Sequence, residues 1–288
     1  MRLELTDQRW HDLRAALDGA TDRFTRLLLD VRDPDRPAPD RPRAVRWTAA
    51  ETAAHTAVVA HLNAGLLHAP ATPLGAPAVD PLVAATTLGD IAHLNDVALR
   101  EFPTRSPEAL ARWLREGVSL LLDRSADRDP REPAHWLGDA RLPVASLLAH
   151  QLNEVLLHGF DIARAHSLPW RVPSAEAALA FDLFLVSLLG SRETGRLFGT
   201  GGGQGRTVRV EFRSAHTTPV VLVNGGGRIG AEPPDGGADA RIRFEPAALM
   251  LTIFRRTPLA RAVATGRVVA SGRRPWAALT YMRRMRTP

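Results

Sequence analysis

Between His150 and Asp161 the chain reads HQLNEVLLHGFD, and Glu154, His158 and Asp161 within it carry side chains that bind protons or metals. A helix turns about 100° per residue, so these three project within roughly 60° of one another. Leu147 and Leu157 project into or beside the same sector, and a polar stripe flanked by leucines is not expected to face water. The wet side is expected to carry Ser146, Asn153 and Arg164, with His150 leaning toward it as a rim residue. A carboxylate and an imidazole turned inward need a partner, because an unpaired buried charge is too costly to persist. A metal ion is one such partner; a proton-sharing pair is the other.

A third donor comes from an earlier segment. In WTAAETAAH, Thr48 and Glu51 are spaced as a capping box that opens a helix, and His55 falls in line with Val59, Leu62 and Leu66. Alone, His55 reads as a hydrogen-bonded core histidine. Set against Glu154 and His158 on a facing helix, it is a candidate third donor for a bundle-type metal site of two imidazoles and one carboxylate. That donor set suits zinc or another divalent transition metal and leaves coordination positions open. Asp161 is expected either to hold His158 in one tautomer or to pair with an arginine. Asn95, polar on an otherwise apolar helix face, is expected to bond a neighbouring helix or to touch substrate.

The elements that position these groups follow from periodicity. Apolar residues recur at helical spacing over residues 6–31, in the segment after Thr48, over 83–102 and over 107–125. A long helix runs from Pro143 to about Ser167, and another begins at Ser174. The proline-rich stretch 69–82 is expected to be a crossover or a flap over a cavity. At Gly190 the character changes. The glycines of GTGGGQG match neither a P-loop nor a dinucleotide fingerprint, and read as a linker or hairpin. Beyond them, TVRVEF, PVVLVN and ADARIRF alternate as strands; ALMLTIFRR reads as a helix, GRVVASG as a strand and PWAALTYMRRM as a closing helix. The expected architecture is a helical bundle (1–190), a linker (191–205) and a small α+β domain (206–288).

Composition narrows the chemistry. The chain has no cysteine, which excludes disulfides, thiolate ligands and a cysteine nucleophile, so any metal is held by His, Asp or Glu. The formal charge is +6 and every basic residue is arginine, but no nucleic-acid-binding signature accompanies that charge, so no nucleic-acid partner is expected. The arginines of the closing RRPWAALTYMRRMR read as a solvated helix face. No apolar run approaches eighteen residues and the first residues are charged throughout, so neither a membrane span nor a signal peptide is expected. The expected location is the cytoplasm.

The pairing of WTAAETAAH (47–55) with EVLLHGFDIA (154–163) resembles the mycothiol-dependent maleylpyruvate isomerase family, within the DinB-like superfamily. The resemblance implies a four-helix-type bundle in which His55, Glu154 and His158 bind a divalent metal, usually zinc. ADARIRFEPAALMLTIF and AVATGRVVASG are similar to the family's second, sterol-carrier-like domain. Two positions depart from the family pattern: Gln151 stands where an arginine is frequent, and Arg273 where an acidic residue is usual.

The family uses mycothiol, a low-molecular-weight thiol, with small electrophilic substrates. The resemblance therefore implies thiol addition to an activated double bond with cis–trans isomerisation. The alternatives are S-transfer in detoxification or biosynthesis, or a non-catalytic ligand- or partner-binding protein. Arginines are expected to hold substrate carboxylates, with Arg241 and Arg243 on one strand face as candidates.

Overall fold

A computed structural model describes residues 5–38, 47–68, 73–194, 197–198, 205–226 and 228–284, with the side chains of Arg228, Arg283 and Arg284 left out. The helical part begins with α1 (Asp7–Leu29) and α2 (Ala49–Leu66), continues through the short α3 (Asp80–Ala85) to α4 (Ile91–Glu101), and then α5 (Pro107–Arg124). A small hairpin of β1 (Pro133–His135) and β2 (Arg141–Pro143) leads into α6 (Val144–His166). Helix α7 (Ser174–Ala180) passes through a π-helical turn, Phe181–Val186, into α8 (Ser187–Gly190).

Helices α1 and α2 each pack against α5 and α6, which makes the four-helix bundle that the family resemblance implies. The Thr48–Glu51 capping box is present in both directions, at 3.1 and 2.9 Å, and fixes the start of α2. Ser106 caps α5, with Pro107 at its first position. One expected helix is shorter than its periodicity predicts. The span 83–102 is broken before Ile91, where the Thr87 hydroxyl bonds Asp90 at 2.6 Å and accepts the Gly89 amide at 3.2 Å. Such local side-chain bonds compete with the helical ladder.

The C-terminal part is a five-stranded sheet of β3 (Val208–Arg213), β4 (Val220–Gly225), β5 (Arg228–Glu232), β6 (Ala240–Phe244) and β7 (Val268–Ser271), in the order β5-β4-β3-β6-β7. All pairs are antiparallel except β3–β6, which is parallel. Helices α9 (Pro246–Ile253) and α10 (Leu259–Ala264) lie between β6 and β7, and α11 (Pro275–Arg284) packs on β6, β3 and β7. Strand β5 and helix α10 have no counterpart in the sequence-based expectation: Gly230 interrupts one, and the other is under two turns long. Much of the glycine-rich segment, residues 195–196 and 199–204, lies outside the described residues. Among the described residues no helix is long and apolar enough to cross a membrane.

Three polar joints tie the sheet part to the bundle. Asp182, buried in the π-helical turn, accepts from Arg9 at 2.7 Å and from the Thr218 amide at 3.0 Å. Glu245, which caps α9, accepts from the Ser174 hydroxyl. The third joint, Arg256 on Asp161, lies at the candidate site.

Candidate metal centre

His55 sits mid-way along α2, and Glu154 and His158 lie one turn apart on α6, the helix facing it. One carboxylate oxygen, Glu154 Oε2, lies 3.2 Å from His55 Nε2 and 3.2 Å from His158 Nε2. The two imidazole rings meet edge-on with centroids 5.1 Å apart, and one donor atom from each of the three residues falls within 4.8 Å of the others. Donors bound at about 2.0–2.1 Å to one tetrahedral ion stand roughly 3.3 Å apart. The two carboxylate–imidazole spacings match that separation, and the three donors stand close enough to close on one divalent ion. The Glu154 side chain is 15% exposed, which leaves the centre open on its cavity side.

Asp161 pairs with an arginine and stands beside His158. Its Oδ2 is 3.4 Å from His158 Nδ1, a charge contact without hydrogen-bond alignment. The same oxygen accepts from Arg256 Nη2 at 2.6 Å, while Arg256 Nε lies 3.2 Å from both carboxylate oxygens. Asp161 thus ties an imidazole of the centre to an arginine beyond the end of α9. Trp47, just before α2, packs its indole on the His55 ring with centroids 4.8 Å apart.

The electrostatics follow from these contacts. Burial pushes Glu154 up, but His158 and His55 outweigh it and hold the carboxylate well below its usual range. Burial keeps His55 below the ordinary imidazole value in spite of Glu154. It pulls His158 down too, yet Asp161 and Glu154 together raise that imidazole from 6.5 to about 9. In the metal-free protein the proton therefore resides on His158. Its ion pairs stabilise the metal-free fold fully below pH 6.5 and are lost as pH rises through about 9. A metal must displace that proton, so apparent zinc affinity is expected to climb with pH from 6.5 toward 9, by roughly tenfold per unit. Competition titrations across this window check it; a flat affinity contradicts it.

A cavity of about 630 Å³ opens over the centre. Its walls are largely apolar, from α2, α4 and the 69–82 segment, in which Leu74 and Val79 contribute and residues 69–72 lie outside the described set. Asn95 is half-buried and lines this cavity.

Two expectations are corrected. His150 is buried, not a rim residue: Trp136 and Phe184 enclose its ring, Asn63 bonds its Nδ1 at 3.3 Å, and its Nε2 is 3.7 Å from Glu154 Oε1. Burial lowers its pKa to about 4, so it stands neutral. Arg241 and Arg243 are exposed on β6 and line no part of the cavity; Arg241 pairs with Glu211 at 3.0 Å. The arginines that do reach the cavity are Arg255 and Arg256. Their only sequence signal was their place at the end of an apolar helix.

The glycine following His158 has a packing reason. A methyl at Gly159 collides with the Trp170 indole, which is held by a 3.1 Å bond from Nε1 to the Leu156 carbonyl. Gly→Ala within a helix normally stabilises by roughly 1 kcal/mol. Here Gly159→Ala is expected to destabilise by about 1–3 kcal/mol through overpacking, read by denaturant unfolding. A stabilised variant contradicts that packing role.

The family model described as the mycothiol maleylpyruvate isomerase N-terminal domain matches residues 16–163, just over half of the 288 residues. A crystal structure of a histidine-to-alanine mutant of mycothiol-dependent maleylpyruvate isomerase aligns with a TM-score of 0.50 at 14% identity, over 91% of this chain and 92% of that one. A second crystal structure of mycothiol-dependent maleylpyruvate isomerase aligns over the same shares with a TM-score of 0.48 at 15% identity. At such identity the likeness is one of fold. No curated protein matches the chain.

Proposed function

The chain belongs to the mycothiol maleylpyruvate isomerase family, and from that premise we propose that it is a metal-dependent enzyme that uses mycothiol to isomerise a small electrophilic alkene, as in maleylpyruvate cis–trans isomerisation. The observation that carries this reading is the single Glu154 oxygen standing 3.2 Å from both imidazoles on the floor of a cavity.

In this reading His55, Glu154 and His158 hold the divalent ion, with zinc as the metal best matched to two imidazoles and a carboxylate. When bound, the ion supplies a Lewis acid that depresses the pKa of a thiol, and mycothiol supplies the sulfur nucleophile for reversible addition to the double bond. The chain has no cysteine, so it brings no competing thiol of its own.

The protein's own groups prepare that chemistry. Asp161 places a carboxylate beside His158 Nδ1, which favours the tautomer with its donor lone pair on Nε2, and Arg256 keeps Asp161 ionised. Trp47 shields His55 from one side. Val58, Leu62 and Leu157 line the wall, excluding water and strengthening the electrostatics of the centre. Asn95 offers an amide to a polar group of the substrate.

The test is incubation of zinc-loaded protein with mycothiol and maleylpyruvate. The expected result is conversion to the trans isomer without net consumption of thiol, lost on dialysis against chelator and restored by zinc. Stoichiometric thiol consumption would mark an S-transferase instead. Absence of any thiol-dependent reaction overturns the proposal.

A further inference from the structure

Helix α9 ends in a way that ordinarily calls for glycine. Past its last turn the Arg255 amide donates to the Thr252 carbonyl at 3.1 Å and the Arg256 amide to the Leu251 carbonyl at 2.8 Å. These are the paired bonds of a closure whose first residue beyond the cap must take the left-handed conformation. That residue is Arg255, with φ +65°.

In the left-handed region a Cβ crowds the backbone, which is why glycine dominates this position. Among the described residues only Asp139 and Ser167 share a positive φ without being glycine. Both have short polar side chains, and for Asp such conformations are eased by local bonding to the backbone. Arginine lacks the short polar side chain that gives this relief. A strained residue that persists at a site is grounds for asking what its side chain does there.

Arg255 is among the residues that line the cavity, and it is exposed. The next residue, Arg256, is turned inward and bound to Asp161. The closure thus gives two consecutive arginines different places, one bound to Asp161 and one exposed at the cavity. A guanidinium is a planar fork that matches a carboxylate with two parallel hydrogen bonds. Arg241 and Arg243 lie outside the cavity.

We propose that Arg255 is a substrate-binding residue that selects carboxylate-bearing substrates at the cavity, its left-handed backbone being retained for that contact. This rests on the reading of the cavity as a substrate site given above. A purely structural role, a positive charge at the C-terminal end of α9, would be met by lysine equally well.

The test compares zinc-loaded wild type, Arg255→Gly and Arg255→Lys, with maleate as the binding probe in calorimetry. Arg255→Gly is expected to bind maleate at least tenfold more weakly, to keep its zinc, and to melt no lower than wild type, since glycine relieves the backbone. Arg255→Lys is expected to recover part of the maleate binding without any gain in melting temperature.

Equal maleate binding by wild type and Arg255→Gly overturns the inference, as does a wild type that binds no maleate, or an Arg255→Gly variant that melts lower. Thiol-dependent turnover of maleylpyruvate decides the preceding reading separately. Turnover with an unchanged KM in Arg255→Gly sinks this inference alone. A tenfold loss of maleate binding without turnover in any variant sinks only the isomerase reading.

Discussion

His158→Ala and His55→Ala are each expected to give folded protein that carries almost no divalent metal. Each change removes one of three protein donors. The loss of affinity should exceed the roughly 10- to 100-fold that accompanies removal of an outer partner of a metal ligand. His55→Ala is the gentler change for the fold, because α2 is already rich in alanine and the new side chain adds no polar group. His158→Ala also leaves Glu154 and Asp161 without the imidazole that stands between them, so it is expected to lose stability as well as metal. Elemental analysis with circular dichroism on the same samples reads both effects. Variants that fold and keep stoichiometric metal would remove His55 and His158 from the site.

Arg256→Met is expected to carry the largest stability penalty. Asp161 is fully buried and Arg256 nearly so, with side-chain exposures of 0% and 7%. Removing one member of a buried pair strands the other charge, at a cost of about 3–5 kcal/mol. The metal-free protein should lie at the low end of that range, because protonated His158 still faces Asp161. With metal bound, His158 is neutral but the ion's own charge faces Asp161 through it, so metal affinity is expected to fall by no more than the roughly 10- to 100-fold that loss of an outer partner costs. The double variant Asp161→Asn, Arg256→Met is expected to be less destabilised than the sum of the single variants, since the stranded charge is removed. Denaturant unfolding of the four proteins measures this. Additive single effects would mean that the two side chains act independently.

The helical half of the fold was legible where helices are amphipathic and capped, as α1 and α5 are. Ser106-Pro107 and the Thr48–Glu51 box stand where the periodicity places them. The convergence of His55, Glu154 and His158 was legible too: helical spacing offered the three as one candidate set, and the family resemblance singled it out.

His150 was not, for a physical reason. Assigning faces by helical spacing assumes that one side of α6 meets water. Yet Ser146, Asn153 and His150 are all buried, because the hairpin β1–β2, the π-helical turn and α2 surround the helix. Arg164 alone of the expected wet residues is exposed.

The role of Arg256 depends on how the sheet part docks on the bundle, 95 residues along the chain from Asp161, and no local pattern carries such a contact. Arg241 and Arg243 share a strand face, but that face is not the one turned to the cavity. Strand identity follows from alternation; which way a sheet docks does not.

The proposed chemistry depends on a metal held by His55, Glu154 and His158. Its most direct test is elemental analysis of the full chain, purified without chelators and dialysed against metal-free buffer. The expected result is about one divalent ion per chain, zinc foremost, matching the single three-donor cluster among the described residues. Protein that emerges folded and metal-free, and fails to take up zinc on titration, would contradict it.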